Sequence, residues 1–453
     1  MSRPLSLLGG LCLAPVLSCL APAQATAQDW PQWRGPNHDG STTAKGLPTD
    51  FDQEQGVQWA ADLPGPGAGT PIVFGDRIYL SAAMPEAGEL LALCLDRHTG
   101  KLLWERSVGS GYQPGGKGSV TGLHRRSNYA SPSPVTDGER VIFFFGNGDL
   151  VAFDPAGERL WARNLQKDLG DFAFQWTFSA SPTLYDGKLF VQILQRDEPA
   201  NGLGKAGQMS ILLAMDPTDG ETLYAHERPS DARKESLESY ATPIPYEGEG
   251  GRKELLVVGG DVITGHDPDT GEERWRWGAW NEGHREMWWR LVPSVVVGNG
   301  KALVCAPKGA PVYAVPLGGT GTLDSDAYAW KSEGRVNQVT SDVPTPLFYK
   351  SRFFVLSDLR SALSRVHPDT GEVEWTTKMP GRAKWRASPT GADGRVWCMN
   401  HAGEVVIVNA DDGEIVNTIP MGEEDDDDIR STLVVAHDRL FIRTHTKLFC
   451  VGG

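Results

Sequence analysis

Short apolar runs separated by polar turns recur along the whole chain, and no stretch shows a long amphipathic helical period. Val141-Ile-Phe-Phe-Phe145 and Lys188-Leu-Phe-Val-Gln-Ile193 are typical runs. Their length and their β-branched and aromatic content predict buried strands. Most follow a small residue plus proline, at Thr70-Pro71, Ser131-Pro132, Ser181-Pro182, Thr242-Pro243, Val292-Pro293, Thr345-Pro346 and Ser388-Pro389; Ser431-Thr432 opens a copy without proline. A polar turn then precedes the apolar run, as at Gly75-Asp76, Asp137-Gly138 or Asp393-Gly394. Each unit reads as four strands joined by tight turns, an antiparallel meander.

The end of each unit carries a second signature: a small residue, then Asp, Gly and Trp at fixed spacing. Gly265, Asp267, Gly271 and Trp275 fit it, as do Cys94, Asp96, Gly100 and Trp104, and Ala214, Asp216, Gly220 and Tyr224. Arg365, His367, Gly371 and Trp375 keep the spacing with the Asp changed; Ala152, Asp154, Gly157 and Trp161 lack one residue; Ile407, Asn409, Gly413 and Asn417 form a degenerate copy. Self-similarity at this period means stacked supersecondary units. Asp caps the turn, Gly permits its backbone conformation, and Trp fills the gap between neighbouring units. The repeat therefore reads as structural docking rather than chemistry.

Eight openings and eight fourth-strand positions (Trp59, Trp104, Trp161, Tyr224, Trp275, Trp330, Trp375 and Asn417) are offset in frame. The array begins with a fourth strand around Trp59 and ends with a third, Lys447-Leu-Phe-Cys450-Val. Pairing the two completes the eighth unit and hides both edges. The expectation is an all-β fold: an eight-bladed β-propeller of four-stranded antiparallel blades over residues 56–453, entered by an irregular Trp/Pro-rich lead-in over 28–55. A monomer is expected.

Composition agrees, with 53 Gly, 31 Pro and 15 Trp among 453 residues. Lys plus Arg number 43 against 58 for Asp plus Glu, and this acidic balance disfavours nucleic acid and anionic membrane as partners. Residues 1–27 read as a signal peptide, with Arg3, an apolar run over Leu5–Leu20, and the small-x-small triplet Ala25-Thr26-Ala27. The expectation is export to the periplasm or the extracellular medium. A lipid anchor at Cys19 fits less well, because Leu17 suits such a signal poorly. Nothing later approaches the ~20 apolar residues of a membrane span. Beyond the leader, Cys94, Cys305, Cys398 and Cys450 make no CxxC. Cys94 and Cys450 share a repeat position in blades that adjoin after closure. They are a candidate disulfide, the alternative being two buried small side chains.

The A/G-x-D-x-x-T-G-x-x-x-W frame resembles the tryptophan-docking repeat of the pyrroloquinoline-quinone (PQQ) propeller superfamily, over essentially the whole chain beyond the leader. One branch comprises quinoprotein alcohol and sugar dehydrogenases, with PQQ and calcium at the propeller mouth. Another comprises cofactor-free relatives, among them the scaffold lipoprotein BamB and secreted bacterial members that share the Trp-Pro-Gln-Trp-Arg-Gly-Pro lead-in. The dehydrogenases typically carry a disulfide between adjacent cysteines over the cofactor, and this chain has no Cys-Cys pair. None of their Glu/Asn/Asp calcium-and-base set is carried over residue by residue to this chain. A shared fold does not carry the reaction with it.

Chemistry, if present, belongs in the loops before the innermost strands, which crowd the channel mouth. Arg126, Trp176, Glu238, Trp288, Arg290, Trp385, Arg386 and Arg430 lie in them. Arg forks and indole plates suit an anionic or sugar-like ligand, or a peptide segment. The alternative is that these Arg pair with neighbouring acids and the Trp pack between blades. The acidic run containing Asp425, Asp426, Asp427 and Asp428 is a weak candidate for calcium and otherwise a solvated loop. The favoured reading is an exported, non-catalytic scaffold or binding protein without a cofactor. A PQQ-dependent dehydrogenase and a carbohydrate-binding propeller are the alternatives.

Overall fold

The computed structural model describes residues 1, 29–84, 88–111, 128–333 and 339–452; the leader, including Cys19, lies outside them. Eight sheets, each built on four antiparallel strands and one of them carrying a fifth strand in parallel, form an eight-bladed propeller. The first blade runs Ile72–Phe74, Arg77–Met84, Glu89–Asp96 and Leu102–Ser107. The eighth is closed by the N-terminal strand Val57–Asp62, which pairs antiparallel with Lys447–Val451 and places Trp59 opposite Cys450. The one α-helix among the described residues is Leu165–Leu169.

Blade-to-blade docking uses the repeat in one direction. Trp59, Trp104, Trp161, Tyr224, Trp330 and Trp375 each lie against the turn glycine of the next blade, so that a Cβ on Gly100, Gly157, Gly220, Gly271, Gly371 or Gly413 would meet the ring at 2.8 Å or less. The ring N–H or O–H donates to a backbone carbonyl in that turn, Trp104 to Pro155 at 3.1 Å and Trp161 to Pro217 at 2.9 Å. Asp96 accepts from the amides of His98 and Thr99 and from the Thr99 hydroxyl, and the hydroxyl bond, the largest effect, holds its carboxyl below the ordinary range. Asp154, Asp216 and Asp267 cap their turns by the same means.

Two docking positions depart from this. Trp275 is buried between blades four and five, but its indole N–H donates to Glu254 in its own blade, at 3.1 Å. Blade five joins its third and fourth strands through residues 317–329 and has no Asp-to-Gly turn to receive it. At Trp375 the N–H has no partner, and the carbonyl of Ala410 accepts instead from the Arg365 guanidinium at 3.0 Å.

The Cys94–Cys450 pairing is corrected. Both are buried free thiols, Cys94 opposite Trp104 and Cys450 opposite Trp59, in separate core clusters. Each fills the small-residue position against its own blade's indole. Burial pushes their thiols up to about 12 and about 11, which leaves them inert.

The lead-in packs against the inner strands of several blades. Trp30 is fully buried and bridges Val73. The fully buried Arg34 guanidinium donates to the carbonyls of Pro389 and Pro346 at 2.9 and 2.7 Å. Asp438 and Asp393, in turns of the last two blades, accept from the amides of Lys45 and Leu47, and Asp39 accepts from the Ser41 amide within the lead-in.

Candidate functional site

The openings of the innermost strands build a ring around the channel. The backbone N–H of Thr432 donates to the Thr70 hydroxyl, and the same link runs on through Ser133, Ser181, Thr242, Ser294, Thr345 and Ser388, with all seven bonds at 2.8–3.1 Å. Each hydroxyl, used as acceptor, keeps its proton. The ring corrects two expected registers, since Ser133 and Ser294 stand in it two residues beyond the openings read at Ser131 and Val292. In a strand, residues two apart face the same way. Either register therefore satisfies the sequence pattern.

The same period sets the next tier toward the mouth. Ala68, Ser131, Ser179, Tyr240, Val292, Val343, Arg386 and Arg430 each stand two residues before a ring hydroxyl, and all line a chamber of about 230 Å³. Trp33 of the lead-in also lines it, as do Trp176 and Arg290. The tier is asymmetric, cationic where Arg386 and Arg430 enter and aromatic at Tyr240.

The expected mouth residues divide. Arg126 lies outside the described residues. Arg386, Arg430, Trp176 and Arg290 reach the chamber. Arg290 is committed, forking onto both oxygens of Asp342 at 2.9 and 3.0 Å, with the two side chains buried. Trp385 is corrected: it has no exposed surface and packs in the core between blades six and seven. It is adjacent to Arg386 and therefore faces the other way.

Glu238 is buried completely rather than open to a ligand. Arg196 donates to one of its oxygens; the Tyr240 hydroxyl and the Gln175 amide donate to the other at 2.5 and 3.0 Å. Burial pushes its carboxyl up to about 7, against the opposing pull of Arg196. Trp288, by contrast, stands 51% exposed, with the Arg196 guanidinium 5.8 Å and the Lys234 ammonium 5.6 Å from its ring centre.

In the acidic run, Asp425 and Asp427 face solvent, and Asp426 and Asp428 turn inward onto His445 at 3.2 and 2.7 Å. The hydrogen bond to Asp428, the largest effect, raises the His445 pKa, so the pair is charged more readily. Among the described residues, Glu238, Asp342, Asp426 and Asp428 are thus engaged by protein cations and by N–H or O–H groups. Among the described residues no group of three or more His, Cys, Asp or Glu is placed to hold an ion. No helix among them is long and apolar enough to cross a membrane.

Sequence reasoning missed the hydroxyl ring and Tyr240. Their signal was available: the Ser or Thr before each proline, counted back in twos.

Comparison with solved structures returns the same architecture. A europium-containing methanol dehydrogenase superposes with a TM-score of 0.66 at 9% identity, covering 94% of this chain and 98% of the other. Quinohemoprotein alcohol dehydrogenase from Comamonas testosteroni gives 0.63 at 12% identity, covering 93% and 80%. BamB from Moraxella catarrhalis gives 0.58 at 13% identity, covering 87% and 99%. At these identities the likeness concerns the fold. No curated protein matches the chain. The sequence itself matches the family of the outer membrane protein assembly factor BamB over residues 41–174 and 262–452, most of its length. With its docking repeat and its closed ring of eight blades, the chain belongs to the BamB family of PQQ-like propellers.

Proposed function

We propose that this protein is an exported, non-catalytic propeller that binds a protein partner through its mouth face, without a resident quinone or calcium. The observation that carries the reading is Trp288. It is a large indole left 51% exposed, bordered by two cations, in a mouth whose other polar groups are mostly spent on one another. Exposed Trp beside Arg is the composition of an interface hot spot, and the flanking cations favour an acidic segment of the partner. A family named for an assembly factor supports the same reading. The Ala25-Thr-Ala27 leader places the work outside the cytoplasm, as an expectation from sequence.

The test is site-specific photo-crosslinking in the source cell. A photoreactive residue in place of Trp288 is expected to yield a discrete adduct, and one in place of Leu160, equally exposed on an outer strand, none. Adducts at both positions, or at neither, would contradict a mouth-face partner.

A further inference from the structure

Blade five breaks the repeat, and the break builds a second cavity. Between Val312–Pro316 and Trp330–Lys331 the tight turn is replaced by residues 317–329. This segment adds the strand Gly321–Thr322, which pairs in parallel with the outer strand of blade four. Arg252 fixes its start by donating to the carbonyls of Gly318 and Gly319 at 3.0 and 2.8 Å. The result is a cleft of about 630 Å³ between blades four and five, away from the axial chamber. That volume lies in the range of small-molecule sites, about 300–1,000 Å³.

One wall is aromatic. The rings of Tyr313 and Tyr328 stand 5.2 and 6.1 Å from Trp277, centre to centre, and 5.6 Å from each other. The other wall is a fixed polar set. Asp261 holds one carboxylate oxygen against Asn281 at 2.8 Å and His284 at 2.9 Å. Asn281 is itself locked by the amide and carbonyl of Glu286 at 2.9 and 2.8 Å. The second Asp261 oxygen has no partner although the residue is 4% exposed, and the Trp277 indole N–H has none at 1% exposed. A buried acceptor and a buried donor left unpaired in one cleft are unfavourable in the empty state.

The partner that answers both must donate and accept, which is what a hydroxyl does and an ammonium or a carboxylate does not. Charge agrees. Arg276 is spent on both oxygens of Glu273, at 2.5 and 2.7 Å, and the lining sets Asp231, Glu282 and Asp326 beside Lys331, whose ammonium also lies over the Tyr328 ring, so the acidic balance disfavours an anion. Trp277 and Tyr313 are buried and back the half-buried Tyr328, whose face can accommodate the C–H surface of a pyranose. We infer that the cleft between blades four and five is a carbohydrate site, taking a neutral sugar through hydroxyls that pair with Asp261 and Trp277. It is separate from the mouth face and stands or falls independently of it.

The test is saturation-transfer NMR and calorimetry on the intact protein with glucose, galactose, mannose and N-acetylglucosamine, with spermidine and citrate as cationic and anionic probes. Asp261→Asn suits the positive φ of that turn and removes the charge; Trp277→Phe keeps an aromatic side chain, though a smaller one, and removes the N–H. At least one sugar is expected to bind, about tenfold or more weaker in both variants and unchanged in Leu223→Ala on an outer strand. Should either variant melt early, Tyr328→Ala on the added segment tests the same wall. Absence of sugar binding at tens of millimolar would overturn the assignment. So would equal binding in all variants, or spermidine binding in place of sugar.

Discussion

Trp104→Ala is expected to lower the unfolding free energy by about 3–5 kcal/mol, the loss usual for a large buried aromatic. Trp104 is 7% exposed and touches Tyr79 in its own blade and Phe143 and Phe153 in the next. Its N–H bond to Pro155 is the polar half of the same joint. Gly157→Val attacks the joint from the other side. That glycine holds φ at 86°, and an added Cβ would stand 2.8 Å from the indole. Urea titration checks both variants. A loss below about 1 kcal/mol would mean that the blades are held by strand packing and that docking adds little.

Asp342→Ala is the second large effect, again about 3–5 kcal/mol, because it strands the Arg290 guanidinium in a site only 8% exposed. Replacing both residues together, Arg290→Met with Asp342→Leu, is expected to recover most of the loss, since two apolar side chains need no counter-charge. Thermal or urea melts of the three variants decide this. Equal loss in the single and double variants would show that the pair is needed for more than mutual neutralisation. The pairing also explains why Arg290, read from sequence as a ligand arm, serves the mouth as a strut.

The fold was legible because its determinants are local. Asp96, Gly100 and Trp104 lie within one turn and its strand, so their spacing alone reports the docking joint. The offset between Trp59 and Cys450 reported ring closure for the same reason. The site was less legible because its determinants are distant or directional. Asp342 lies 52 residues from Arg290, and nothing between them marks the pair. Trp385 and Arg386 are neighbours that face opposite ways, and only the position of Ser388 in the hydroxyl ring tells which enters the chamber. Trp275 fitted the docking frame fully, and what changed its role was the missing turn in the following blade. The interblade cleft has no motif, only a break in one.

The central claim, that the mouth binds a partner and performs no redox chemistry, is tested most directly by adding PQQ and calcium to the purified protein and following dye reduction across primary alcohols and aldoses. The account predicts rates no different from those of the cofactor mixture without protein. Reproducible, substrate-dependent turnover that scales with protein concentration would contradict it.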